Sequence, residues 1–230
     1  MNATRYLLRS ALTAAACALV PCAGAEPMVT SAQQTGYLQD YYRMNHVGGV
    51  PLEQVWIEPE LDVRKYRTLY IAPTRIDPSA YYRKGEMDHQ IATNIAAGIH
   101  ADLVRELKDA GIFQFVSDDP FFAAPRQQAL TLETRITEID SGDPEKRYKP
   151  GFGAGATLIQ IEGKLVENRT CRTLIEFADR RNHPGDALWV GKQRSADPQY
   201  LIALDSAGIM RGVVKLFIYL REMGMPANQR

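Results

Sequence analysis

The chain has 230 residues, of which 45% are hydrophobic and 23% charged, a composition typical of a soluble globular protein. Its 27 Lys and Arg residues balance its 27 Asp and Glu residues, so no bulk basicity points to a nucleic acid or to anionic lipid as a partner. The three cysteines are Cys17, Cys22 and Cys171, too few after residue 25 for a disulfide framework.

The first 25 residues have the pattern of a secretory signal peptide. Arg5 and Arg9 give a positive start, residues 10–20 form an uncharged apolar run, and Ala23-Gly24-Ala25 supplies the small residues of a cleavage site. The apolar run is too short to span a bilayer, which needs about 20 such residues. We therefore predict cleavage after Ala25, which removes Arg5 and Arg9 and leaves a periplasmic chain of net charge −2.

Lipidation of Cys22 is the alternative to simple cleavage. Leu19, three residues before it, suits a lipidation site, but Pro21 stands where a small residue is needed. A lipid on Cys22 would anchor the protein to the outer membrane through a tether of about 14 residues, reaching up to ~50 Å when extended. Cys171, the remaining cysteine, is expected to be a semi-buried small hydrophobe.

Residues 26–36 are polar and unpatterned, which predicts a disordered spacer. A single folded domain is predicted over residues 37–223, followed by a tail at 224–230. The aromatic-rich start of this domain, residues 37–42, is consistent with a short docked helix. The first predicted strand covers residues 68–72 and is ended by Pro73.

The clearest helix covers residues 88–110, with Asp88 as its cap and Gly111 placed to end it. Its apolar side chains recur every four residues, on one face: Ile91, Ile95, Ile99, Leu103 and Leu107.

Further strands are predicted from alternating or short apolar runs at residues 112–116, 130–137, 156–166 and 173–177, the last two joined as a hairpin. The final helix covers residues 199–223. Its charges, among them Asp205, argue against a membrane span, and Gly208 and Gly212 would allow close approach to a sheet. The order β-α-β-β-β-β-α predicts an α+β fold, with one mainly antiparallel sheet packed against two main helices.

A glycine-rich segment, Gly151-Phe152-Gly153-Ala154-Gly155, has the spacing of a loose dinucleotide fingerprint. That fingerprint must follow a strand and open a helix, whereas here a charged turn precedes it and a strand follows it. We interpret the segment as the start of a strand in which glycine permits close backbone contact or a positive φ. Replacing Gly153 or Gly155 with Val is expected to destabilise the fold by about 1–3 kcal/mol.

No catalytic, cofactor-binding or metal-binding constellation is predicted. The four histidines have no metal-ligand spacing; they are His46, His89, His100 and His183. Seven aromatic residues cluster in the first third of the chain. We interpret them first as residues that pack against the sheet, and second as residues that contact a partner at an interface. Of these, Tyr37, Tyr41 and Tyr42 are the candidate interaction residues, together with Gly151, Gly153 and Gly155.

Three stretches resemble the bacterial envelope family called domain of unknown function 3313. These are residues 36–41 (GYLQDY), residues 66–73 (YRTLYIAP) and the glycine segment that runs into a strand hairpin. The resemblance covers about residues 35–222, and implies an envelope lipoprotein with no known enzymatic activity. The fold order is also similar, by analogy alone, to small periplasmic adaptor domains.

The signal peptide and the resemblance favour an exported, non-enzymatic binding or adaptor module whose partner is an envelope protein or a wall component. A small-ligand carrier or sensor with a cleft near the Gly151–Gly155 loop is the alternative, and would need an apolar pocket of about 300 Å³ or more there. An enzyme is the third possibility, and it requires two titratable groups that converge in one cleft.

Overall fold

The computed structural model of the protein describes residues 28–80, 86–147, 155–184 and 197–223. The predicted signal peptide with Cys22, the predicted tail, Gly151 and Gly153 lie outside these ranges.

Within these ranges, eight strands form one mainly antiparallel sheet. They are β1 (Met28–Thr30), β2 (Gln54–Ile57), β3 (Thr68–Ile71), β4 (Arg75–Ile76), β5 (Phe115–Ser117), β6 (Ala129–Asp140), β7 (Thr157–Glu167) and β8 (Thr173–His183). The order across the sheet is β1-β8-β7-β6-β3-β5, with β2 also paired to β8 and β4 to β6. Strand β3 is parallel to β5 and β6, and β4 is parallel to β6, while the other pairs are antiparallel.

Two long helices, α1 (Glu86–Asp109) and α3 (Pro198–Met223), pack on one face of the sheet; a short helix, α2 (Pro144–Arg147), precedes β7. The apolar stripe predicted for α1 is buried, with each of its five side chains at most 6% exposed. Gly111 ends the helix with a φ of 60°, as predicted. Asp88 lies within the first turn instead of capping it. The predicted α+β class, with two main helices on a mainly antiparallel sheet, is confirmed.

Close approach by glycine fixes the position of α3. A Cβ atom on Gly208 would lie 2.1 Å from Nη1 of Arg181 on β8, and one on Gly212 would lie 2.7 Å from Cδ2 of Leu52. The predicted close approach to the sheet is therefore found at Gly208 and not at Gly212. Gly212 faces the loop that leads into β2.

Residues 28–36 differ from the predicted disordered spacer. Met28–Thr30 pair with Asn182–Arg180 of β8, and the next residues bond to side chains of the sheet. The segment has no periodic apolar pattern because polar side chains from distant strands hold it, and such contacts leave no local signal.

Two smaller expectations are also corrected. The strand predicted at residues 112–116 is β5 at Phe115–Ser117, because Phe113 instead enters the core against Phe217, with ring centroids 5.6 Å apart. Cys171 is exposed instead of semi-buried, since it lies in the β7–β8 turn with a φ of 57° and not on the strand.

Candidate binding surface

The face of the sheet opposite the helices is covered by the N-terminal arm, which we define as residues 28–45. Side chains alternate along a strand, so the residues between the apolar ones of β7 and β8 point away from the helices. On this face Gln160, Glu162 and Glu176 are 0% exposed. Because these polar side chains lie on the face away from the helices, they are buried by the arm that crosses them.

Glu162 is the centre of the arm's contacts. Its Oε1 accepts from the Thr35 and Thr137 hydroxyls at 2.9 Å each and from Nε2 of Gln160 at 2.7 Å. Its Oε2 accepts from the Tyr41 hydroxyl at 2.7 Å. Burial raises the pKa of Tyr41. The carboxylate is thus satisfied by neutral donors, two of which belong to the arm.

Glu176 holds the second half of the arm. Its Oε2 lies 2.7 Å from Nη2 of Arg43, and its Oε1 accepts from the backbone N–H of Gln39 at 3.0 Å. The guanidinium of Arg43 also stacks over Trp56, 3.6 Å from the ring centroid. A fully buried carboxylate, an arginine and an indole ring therefore fix the arm at its C-terminal end.

Tyr37 lies between two cations of the sheet. The Arg135 guanidinium is 4.2 Å and the Lys164 ammonium 4.4 Å from its ring centroid. Burial raises the pKa of Tyr37, and the nearby Glu133 carboxylate raises it further. Tyr37 and Tyr41 are consequently packing residues, in agreement with the favoured interpretation of the aromatic cluster.

Tyr42 behaves differently from its neighbours because it is 87% exposed. It lies in a single turn of 3₁₀ helix, Tyr41–Arg43, and its own N–H donates to Oδ1 of the capping residue Asp40 at 2.9 Å. An aromatic side chain therefore projects into solvent from a backbone that is fixed on both sides.

The described part of the glycine segment is closely packed. Gly155 has a φ of 77°, and a Cβ atom there would lie 2.2 Å from the carbonyl oxygen of Asp143. Its own carbonyl accepts from Nη1 of Arg147, a side chain only 6% exposed, at 2.7 Å. The turn over residues 143–147 thus occupies the space beside Gly155.

A small apolar gap lies elsewhere, between the sheet and α3. Leu132, Phe177 and Phe217 are among the side chains that line it, and it has essentially no room for a molecule the size of water. A typical ligand pocket has a volume of roughly 300 Å³ or more. Gly155 is not among the lining residues, so the gap gives no support to a ligand cleft at the glycine segment.

A second group of charged residues converges on the helix side of the sheet. Arg181 donates from Nε and Nη2 to the Asp179 carboxylate at 3.1 Å each, and from Nη2 to the Pro51 carbonyl at 2.9 Å. Asp205 of α3 is 0% exposed, and neither of its carboxylate oxygens has a hydrogen-bond partner among the described residues. Burial raises the pKa of Asp205 to about 7, with attraction to Arg181 opposing the shift.

Neither group of titratable residues opens to a cleft. Glu162 lies beneath the arm, and Asp179 and Asp205 are 0% exposed between β8 and α3. Within the described ranges no three His, Cys, Asp or Glu side chains are grouped as metal ligands. Among the helices described, none combines the length and apolar character needed to cross a membrane.

The buried polar residues of the sheet were not predicted from the sequence. Gln160 and Glu162 alternate with apolar Ile159 and Ile161, a pattern that indicates only that one face is polar. The alternation carries no information on what covers that face. Asp205 was likewise interpreted as a charge that opposes membrane insertion, with no sign that it is buried.

The sequence model of the family described as Domain of unknown function (DUF4410) matches residues 64–188. Membership of the domain of unknown function 3313 family, which residues 36–41 and 66–73 suggested, is not confirmed. No curated protein matches the chain.

Three solved bacterial structures are similar to the chain. The hypothetical protein CT253 from Chlamydia trachomatis is 10% identical, with 67% of this chain and 98% of that chain covered and a TM-score of 0.41. Protein XCC0632 from Xanthomonas campestris is 14% identical, with 70% and 89% covered and a TM-score of 0.40. The PelC dodecamer from Paraburkholderia phytofirmans is 14% identical, with 68% and 94% covered and a TM-score of 0.33. At these identities and scores, we base no argument about function on them.

Proposed function

The chain belongs to the DUF4410 family, and since that family is of unknown function we propose a role from the chain's own residues. It is an exported, non-enzymatic binding module of the bacterial envelope, and its partner is another envelope protein. The observation that carries the proposal is Tyr42, which is 87% exposed on a capped turn.

A rigid, exposed tyrosine is suited to binding because it offers a large apolar ring and a polar tip, and little side-chain entropy is lost when it is covered. Arg43, beside it, is held against Trp56 and Glu176. Arg43 thus anchors the turn, and Tyr42 presents an aromatic ring, one of the types most enriched among residues that dominate binding energies.

A photo-crosslinking amino acid at Tyr42 is expected to capture the partner in living cells. The matched control is the same amino acid at Gln90, an exposed position of α1 on the other side of the sheet. Adducts that resist muramidase identify a protein partner, and adducts that muramidase releases identify a wall component instead. Equal labelling from both positions, or none from Tyr42, contradicts the proposal.

The Tyr42→Ala variant is expected to lose the partner in pulldown while its free energy of unfolding stays within about 0.5 kcal/mol of wild type, because the side chain is almost fully exposed. Denaturant unfolding monitored by circular dichroism measures the stability. A variant that keeps the partner shows that the binding surface lies elsewhere.

Export is proposed from the signal pattern of residues 1–25, with the mature chain starting at Glu26. The intact mass of the protein purified from cells is expected to match residues 26–230. A diacylglyceryl-modified chain that begins at Cys22 would overturn this and make the protein membrane-anchored.

The position of β1 changes what such an anchor would do. Only residues 22–27 precede Met28, the first residue of β1. These six residues reach about 20 Å when extended, instead of the ~50 Å expected for a tether that includes residues 26–36. A lipidated form would therefore hold the domain close to the membrane surface.

A further inference from the structure

The N-terminal arm packs as a unit that is separate from the main core. Its buried apolar residues, Leu38 and Met44, form a small cluster with Ala178 of β8. The main core is a different cluster, on the helix side of the sheet. The arm can consequently leave the sheet without opening the core between the sheet and the helices.

Side chains of the sheet bind the main chain of the arm. The Gln160 amide accepts from the N–H of Gln33 and donates to its carbonyl, both at 2.8 Å. Glu176 accepts from the N–H of Gln39 at 3.0 Å, and Glu53 accepts from that of Ala32 at 2.9 Å. These three side chains, which we call the groove, thus hold the arm through its main-chain groups.

Release of the arm exposes less apolar surface than opening of the main core. It uncovers the small cluster of Leu38, Met44 and Ala178, whereas the main core contains most of the buried apolar side chains. Glu162, Glu176 and Gln160 exchange their bonds to the arm for bonds to water, so the net loss per hydrogen bond is small. We therefore expect the arm to open at a lower free-energy cost than the main core.

A hinge follows the arm directly. Gly48 and Gly49 lie between the arm and β2, both with open space where a Cβ atom would stand, and Gly49 has a φ of 82°. The chain can change direction here at low steric cost. Val50 and Leu52, each 1% exposed, then anchor the following residues in the main core.

We propose that the arm exchanges between two copies of this chain, so that each groove holds the arm of its partner in a dimer. The groove contacts in the exchanged dimer are the same as in the monomer. The free energies of the two forms therefore differ mainly through the conformation of the hinge and the entropy of association. The dimer fraction accordingly rises with protein concentration.

Disulfide trapping between two differently tagged copies tests the exchange, in a Cys171→Ser background. One copy carries Met28→Cys in the arm and the other carries Asn182→Cys on β8, two residues that are direct partners in the sheet. Antiparallel partners are close enough for a disulfide. A covalent heterodimer is expected after mixing at high concentration and oxidation, and its yield should fall on dilution.

The control pair is Thr131→Cys with Val166→Cys, which are partners in β6 and β7 and involve no arm residue. Placed on separate copies, these two cysteines should give no heterodimer. Exchange is refuted if the Met28 and Asn182 cysteines stay unlinked between copies while a single chain carrying both closes its own disulfide. Sedimentation of the wild-type chain provides an independent readout, and a pure monomer at millimolar concentration also overturns the proposal.

Discussion

The Asp205→Asn variant is expected to gain stability over wild type as the pH rises. Its free energy of unfolding minus that of wild type should be about 2–4 kcal/mol larger above pH 7 than near pH 4. Asp205 is 0% exposed, and its carboxylate accepts no hydrogen bond from the described residues. Arg181, whose positive charge attracts Asp205, is already bonded to Asp179 and to the Pro51 carbonyl. Two carboxylates therefore share one guanidinium, and ionised Asp205 is poorly compensated.

The direction of the pH dependence follows from the two pKa values of this carboxyl group. Its pKa is about 7 in the folded protein and 3.8 in the reference state. Below pH 3.8 both states hold the proton; between pH 3.8 and about 7 only the folded state holds it, so stability falls as pH rises through this window. Above pH 7 the penalty is complete, and asparagine, which does not ionise, avoids it.

Denaturant unfolding of both proteins between pH 4 and pH 8 measures this effect. The matched control is Glu222→Gln, an exposed carboxylate of the same helix, whose stability curve should run parallel to that of wild type. If the wild-type and Asp205→Asn curves also run parallel, Asp205 is not the group that takes up the proton.

The Gly155→Val variant is expected to lose about 2–4 kcal/mol of stability, more than the roughly 1–3 kcal/mol expected from the sequence alone, because a backbone clash adds to the conformational strain. Gly155 has a φ of 77°, which any L side chain adopts at a cost, and a Cβ atom would stand 2.2 Å from the backbone oxygen of Asp143. Backbone atoms cannot move aside as a flexible side chain can. The variant therefore either separates the turn at residues 143–147 from β7 or distorts the start of that strand.

The Gly36→Val variant separates the cost of a strained backbone conformation from the cost of a steric clash at the new Cβ atom. Gly36 has a similar φ of 84°, but nothing lies within 4 Å of its Cβ position. It should lose only about 1–2 kcal/mol, the cost of the left-handed conformation alone. Thermal or denaturant unfolding measures both variants, and equal losses would show that close packing at Gly155 contributes nothing.

The extent to which the sequence predicts this fold depends on how local the signal is. The stripe from Ile91 to Leu107 identifies α1 because all its members lie on one helix face that meets the core. The alternation in β6 and β7 identifies those strands for the same reason. Strands β1, β2 and β4, which were not predicted, have four residues or fewer, and their existence depends on pairing with β8 and β6. Strand β3 is equally short, but its apolar run closed by Pro73 identified it.

The candidate binding surface was likewise predictable only in part from the sequence. The aromatic cluster at residues 37–42 was visible in the sequence, but nothing in it separates Tyr42, which is 87% exposed, from Tyr41, whose hydroxyl bonds to Glu162. The two are adjacent and chemically identical. Their roles differ because the 3₁₀ turn directs one towards the sheet and the other towards solvent.

By itself the sequence determined the α+β class, both long helices, the central strands and the glycines that end α1 and admit α3 close to β8. These features arise from periodicity and from backbone conformation, which are properties of neighbouring residues. Only the tertiary structure decided that residues 28–45 cover the polar face of the sheet and that Asp205 is buried beside Arg181. Those contacts join residues far apart in the chain; Gln39 and Glu176, for example, are 137 positions apart. Such pairings become possible when the sheet assembles, and no local pattern encodes them.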